Sequence, residues 1–386
     1  MTTPRIKQIA DGGDDVGALL ERLVDLAVRG LPANRVPSTA EDGEYVFTRR
    51  GTSDGRGRWR AEPAGRSLRY AAIVALGVNL LPVETQRAAL DGETADELVD
   101  RLVRRLTAVT EPVTGLGDAA LVCWAAAEAG HPELPRALER LADLDPGEAP
   151  VYTVDAAWVV SALAAARAAA DVEAHLSQAR ARLLSGAARR LYAHSLGPKS
   201  LVPWYRAHVG CFADQVYPLQ ALARLHATWS DPPALAAAEA VAERICALQG
   251  DAGQWWWHYD ARTGKVVEGY PVYSVHQHAM APMALLDLAE AGGTRHADAI
   301  RTGLRWITDP AETDVTLIDE ELALIWRKVA RNDPRKLIRG LRAVSTRAGT
   351  RLAPLDHVFP PTVVDRECRP YELGWLLYAW NTSLEG

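Results

Sequence analysis

Six times along this 386-residue chain, a turn is followed by a polar or acidic residue and then by a helix that is apolar on nearly every side. The six segments are residues 68–80, 115–129, 152–168, 212–226, 275–291 and 371–380. A helix without a polar stripe has no face to offer water, so each must be enclosed by other helices. Between them run 95–107, 134–144, 172–191, 233–248 and 296–307, which have a narrower apolar stripe and more Arg, Glu and Asp. Short connections force consecutive helices to lie antiparallel. The pattern predicts an all-α fold, an (α/α)6 toroid forming one domain over residues 1–386, with 16–28 as the sixth outer helix. Further helix is expected at 315–331 and 334–344, which leaves an elaborated or five-hairpin ring as an alternative. The stretch 35–65, rich in Gly, Arg and acidic residues, is expected to be an irregular arm or lid.

Composition narrows the partners. With 43 Lys and Arg against 49 Asp and Glu, and no basic run, the chain has no footprint for nucleic acid. No stretch reaches the ~20 apolar residues of a membrane span. Asp11, Asp14 and Asp15 stand where a secretory signal would be apolar, so a cytoplasmic protein is expected. Cys123, Cys211, Cys246 and Cys368 are widely separated, and none has a neighbour at metal-ligand spacing. They read as core residues or free thiols, with no metal and no cofactor expected.

Two segments carry a resemblance. Gln249-Gly250-Asp251-Ala252-Gly253-Gln254-Trp255 resembles the QxxxGxW repeat of squalene-hopene and related terpenoid cyclases. Phe212-Ala213-Asp214-Gln215-Val216-Tyr217-Pro218-Leu219-Gln220 resembles the inner-helix pattern of N-acylglucosamine 2-epimerases and neighbouring six-hairpin sugar enzymes. Both imply an α/α toroid; the second implies hydrolysis, epimerisation or elimination of sugars, and the first a prenyl substrate. Protonating cyclases carry Asp-x-Asp-Asp at an inner-helix start. Here Tyr152-Thr153-Val154-Asp155 keeps only the last acid, and Val154 stands where the proton donor would be.

In a toroid, the N-termini of the inner helices open at one mouth, where free N–H groups favour polar or anionic ligands. That mouth would gather Arg69, Asp118, Asp155, Asp214, Gln215, His276, Gln277, His278, Tyr371 and Glu372. The acids read either as reactive groups or as helix caps. Asp214 with one of His276 and His278 is the expected acid–base pair, and Asp155 is a further catalytic candidate. Trp255, Trp256, Trp257 and Tyr259 offer faces for stacking on a sugar or a hydrocarbon. The loop Trp204-Tyr205-Arg206-Ala207-His208 is expected to overhang the mouth, with Arg206 holding an anionic group. The leading expectation is an intracellular carbohydrate-active enzyme of glycoside hydrolase, epimerase or lyase type, using acid–base residues at the inner-helix N-termini on a small-molecule or oligosaccharide substrate. The alternatives are a prenyl cyclase with a degenerate acid motif and a non-catalytic toroid that binds a glycan or protein.

Overall fold

The computed structural model describes residues 3–10, 14–36, 45–108, 115–187, 191–333, 337–350, 352 and 355–383. The acidic run near the start falls partly outside these, at 11–13, and the side chains of Asp356 and His357 are likewise not described.

The fold is an α/α toroid. Its inner helices are Leu68–Val78, Leu116–Glu128, Thr153–Ala166, Ala213–Trp229, the continuous pair His276–Met280 and Ala281–Glu290, and Pro370–Asn381. Each packs on the next, and the last packs on the first, which closes the ring. Outside them lie Asp14–Gly30, Ala95–Thr107, Leu134–Leu144, Glu173–Ala187, Pro232–Cys246 and Ala297–Thr308. The helix Asp14–Gly30 packs on Pro370–Asn381 and supplies the sixth outer member. Apolar residues from all six inner helices merge into one core. Among the described residues no helix is long and apolar enough to cross a membrane.

Proline shapes the fifth inner helix. Pro282 has no N–H to give the carbonyl four residues back, so the His278 carbonyl is released and accepts from Trp380 Nε1 at 2.8 Å. The turn just before it, His276–Met280, is a π-helix, a wider coil that recurs at functional sites. Gln249 of the QxxxGxW segment has a structural use. It donates to the carbonyls of Gly253 (3.1 Å) and Ala299 (2.9 Å), tying one outer helix end to the next.

Two expectations are corrected. Residues 315–331 are not helical but hold the short strands Ile318–Asp319, Leu324–Ile325 and Lys328–Ala330. Ala323, at φ 47°, makes the turn between the first two, a conformation no helix contains. The arm is not irregular from 45 onward: Thr48–Ser53 and Trp59–Ala64 form a hairpin in register Thr48↔Ala64, and Arg49 pairs with Cys368 just before the last inner helix. Residues 37–44 of the arm lie outside the described residues. The expected helix 334–344 is present as Leu337–Arg347, and residues 334–336 lie outside the described residues.

Candidate active site

The first turns of five inner helices line one cavity of about 200 Å³, through Arg69 and Tyr70, Val154, Ala213, His276, and Tyr371. The sixth, Leu116–Glu128, contributes through Asp118, which accepts from Arg69 Nε at 2.6 Å. Arg69 also reaches Asp155, 3.6 Å away, and its guanidinium lies over the Trp158 ring at 4.9 Å. Neither Asp118 nor Asp155 caps its own helix. Both serve the mouth instead. Gly117 makes this arrangement possible, because a Cβ there would stand 2.1 Å from Asp155 Oδ1. Burial raises the Asp155 carboxyl above its ordinary range; Arg69 opposes this, while Asp118 and Asp214 add to it.

Asp214 is fully buried one helix further round. Its Oδ2 accepts from the Cys211 backbone N–H at 2.6 Å and pairs with His194 Nδ1 at 2.9 Å. His194 sits in a loop rather than on the ring, and the backbone fixes it. Its N–H donates to the Val209 carbonyl (3.1 Å), and its own carbonyl accepts from Thr153 N–H (3.1 Å). Gln215 clamps the chain two residues earlier. Its Oε1 accepts from Tyr192 N–H (2.8 Å), and its Nε2 donates to the Tyr192 carbonyl (2.9 Å). The hydrogen bond to Asp214 raises the His194 imidazole against the effect of burial.

The rest of the lining is aromatic and cationic. Trp158, Tyr217, Trp257 and Tyr273 give it flat faces. Arg327 lies over the Tyr273 ring at 4.7 Å, donates to Glu372 at 2.9 Å and approaches Tyr371 Oη at 3.5 Å. Glu372 is thus the buried counter-charge of Arg327, and burial raises its carboxyl although Arg327 opposes the change. Arg369 donates to Tyr70 Oη at 2.9 Å and stacks on Phe47 of the arm.

Several expected site residues lie elsewhere. His276 and His278 diverge as their spacing implies: His276 edges the cavity among Phe212, Tyr273 and Trp257, while His278 is sealed in the core. Burial pushes both imidazoles down to about 3, so they are neutral near pH 7, and the imidazole that meets Asp214 is His194. Trp255 is fully buried against Phe212, and Tyr259 is buried too. Trp256 packs on Tyr270 and lines a separate cavity, which leaves Trp257 as the one of the three that faces the bowl. Gln277 is buried and donates to the Tyr273 carbonyl at 3.3 Å. His208 is buried 3.3 Å from Thr346 Oγ1, Tyr205 packs on Val209 and Val267, and Trp204 is 70% exposed beneath Arg347. Arg206 stands near enough to His194 and Arg339 for its charge to weigh on both. Two residues carry no mark in the sequence: Arg327, which lines the bowl, and His194, which pairs with Asp214 beside it. His194 has no helix start beside it, and Arg327 falls in a segment whose spacing imitates a helix.

No family profile and no curated protein matches the sequence. Solved structures do match in shape. An unsaturated glucuronyl hydrolase specific for heparin aligns over 95% of this chain and 96% of its own, at 14% identity and a TM-score of 0.57. A family 88 glycosyl hydrolase from Bacteroides vulgatus aligns over 94% and 98%, at 11% identity and a TM-score of 0.55. A polysaccharide lyase aligns over 94% and 96%, at 12% identity and a TM-score of 0.56. At such identities the likeness establishes the toroid fold.

Proposed function

We propose that this chain is a carbohydrate-active enzyme of the glycoside hydrolase or lyase type, with its reaction centre in the bowl. The observation that carries this reading is the Asp155 carboxyl. It lies at the mouth, partly buried, held by Arg69 and biased toward its protonated form. A carboxyl in that state can give a proton to a leaving oxygen or to a carbon of the substrate. The Asp214–His194 pair is the natural second group, since Asp214 orients the ring and leaves its other nitrogen to work.

The walls suit a hydrated, partly apolar ligand. Trp257 can stack on a sugar C–H face, and Arg69, Arg327 and Arg369 can bind hydroxyl or acidic substituents. Three of the structural neighbours being sugar-cleaving proteins supports the same class. A prenyl substrate is a second reading, favoured by the aromatic lining, and Val154 in the place of a proton-donating acid weighs against it. The test is turnover on a panel of neutral, uronic and unsaturated uronyl oligosaccharides with one prenyl diphosphate, comparing wild type with Asp155→Asn. The reading expects turnover of at least one saccharide, reduced about 10²–10⁴-fold by the substitution. Turnover of the prenyl compound alone would replace it.

A further inference from the structure

Three donor groups of different softness meet beside the bowl, which one of them, Cys211, lines. A ring nitrogen of His194, the sulfur of Cys211 and a carboxylate oxygen of Asp214 all lie within 4.8 Å of one another. The backbone holds all three: the Gln215 clamp fixes the segment of His194, and the N–H of Cys211 donates to Asp214. The polar balance of the group is incomplete. Asp214 is fully buried, and its Oδ1 has no hydrogen-bond partner. A carboxylate oxygen left so is costly unless a donor or a cation reaches it. The thiol beside it ionises readily only next to positive charge.

We infer that His194, Cys211 and Asp214 bind one divalent cation of the zinc class. Thiolate, imidazole and carboxylate together select a borderline ion, whereas magnesium and calcium prefer shells of oxygen. Around zinc, with bonds of about 2.0–2.3 Å, ligand atoms stand roughly 3.3–3.8 Å apart, so the 4.8 Å limit asks for adjustments of about 1 Å that side-chain rotation can supply. One thiolate and one carboxylate neutralise the ion, which suits a half-buried wall. Binding sends the thiol proton to solvent and displaces the proton between His194 and Asp214, so uptake is coupled to pH. Cys211 lines the cavity and 36% of the His194 side chain is exposed, so the fourth position stays open to solvent, within electrostatic reach of Asp155. A water held there would be the activated group facing the Asp155 acid. That use rests on the sugar-enzyme reading; the binding itself does not.

Cobalt(II) is the probe. The full chain, stripped with a chelator, is titrated with Co²⁺ and followed by absorption. The expected result is one Co²⁺ per chain with a sulfur-to-cobalt charge-transfer band, displaced by Zn²⁺. The band should vanish in Cys211→Ser, and affinity should fall by about tenfold or more in Asp214→Asn. Cys123→Ser, whose thiol donates to the Ala137 carbonyl away from the bowl, should behave as wild type. Zn²⁺ should also raise the Tm of wild type and Cys123→Ser but not that of Cys211→Ser. Absence of the band from wild type, or its survival in Cys211→Ser, overturns the site. If Cys211→Ser fails to fold, His194→Ala, at a half-exposed position, decides between the outcomes: loss of the four-coordinate spectrum upholds the site, and its persistence overturns it. Cobalt binding without turnover of any saccharide would keep the metal site and sink the sugar reading; turnover without cobalt binding would do the reverse.

Discussion

Arg69→Met removes the cation that Asp118 and Asp155 share while keeping an apolar stem over Trp158. At the 3.6 Å separation of Arg69 and Asp155, the Coulomb attraction is about 4–5 kcal/mol at an effective dielectric near 20 and about 1 kcal/mol in bulk water. Arg69 keeps 34% of its side chain exposed, so screening brings the working value to about 1.5–3 kcal/mol. Losing it moves the Asp155 pKa further up, added to the rise that burial already causes. The assay is a pH titration of carbon-13-labelled Asp carboxyl signals, with Asp155→Asn used to assign the resonance. The sign extends to stability. A carboxyl with its folded pKa above the unfolded one makes the fold less stable as pH rises through the interval between them. Arg69→Met widens that interval upward, so the Tm gap from wild type should be small in acid and grow toward neutral pH. An Asp155 titration that stays put or moves down would refute the electrostatic account of the mouth.

Glu372→Leu removes the buried counter-charge of Arg327, leaving it, among the described residues, only Glu367 at 3.9 Å, and should cost up to about 3–5 kcal/mol in urea unfolding, with Glu372→Gln milder. Gly117→Ala drives a methyl into the Asp155 carboxyl; it should destabilise by about 1–3 kcal/mol and lower turnover as Asp155→Asn does, and near-wild-type turnover would show that the carboxyl position is not critical. The two ends of the tryptophan set should separate cleanly: Trp255→Ala should lose about 3–5 kcal/mol, and exposed Trp204→Ala less than about 0.5 kcal/mol, by thermal or chemical denaturation.

The ring was legible because six helices apolar all round can be satisfied only by mutual enclosure. Their polar first turns marked the mouth, and Arg69, Asp118, Asp155 and Tyr371 do gather there. What escaped was whatever periodicity does not encode. His194 reaches the bowl from a loop, positioned by the Gln215 clamp, and its distance from Cys211 and Asp214 in sequence hid that donor set. The Trp255–Trp257 run carries no sign of which ring faces inward, because neighbouring side chains in a non-helical segment turn different ways; only Trp257 of the three faces the bowl. Two-residue strands such as Leu324–Ile325 are too short to show alternation, and their apolar residues imitate a helix. Helix capping was the alternative for the carboxylates at the mouth: Arg69 between Asp118 and Asp155 decides against it for those two, whereas Glu372 does cap its own helix, accepting from the Arg369 N–H at 3.1 Å.

The central claim is that the bowl processes a sugar through Asp155. The direct measurement is saccharide turnover by wild type and by folded Asp155→Asn across the oligosaccharide panel, each run with and without added Zn²⁺. The account predicts that wild type cleaves or eliminates at least one saccharide and that Asp155→Asn retains no more than about one hundredth of that rate. Equal rates in the two proteins, or no saccharide turned over under either condition, would contradict it.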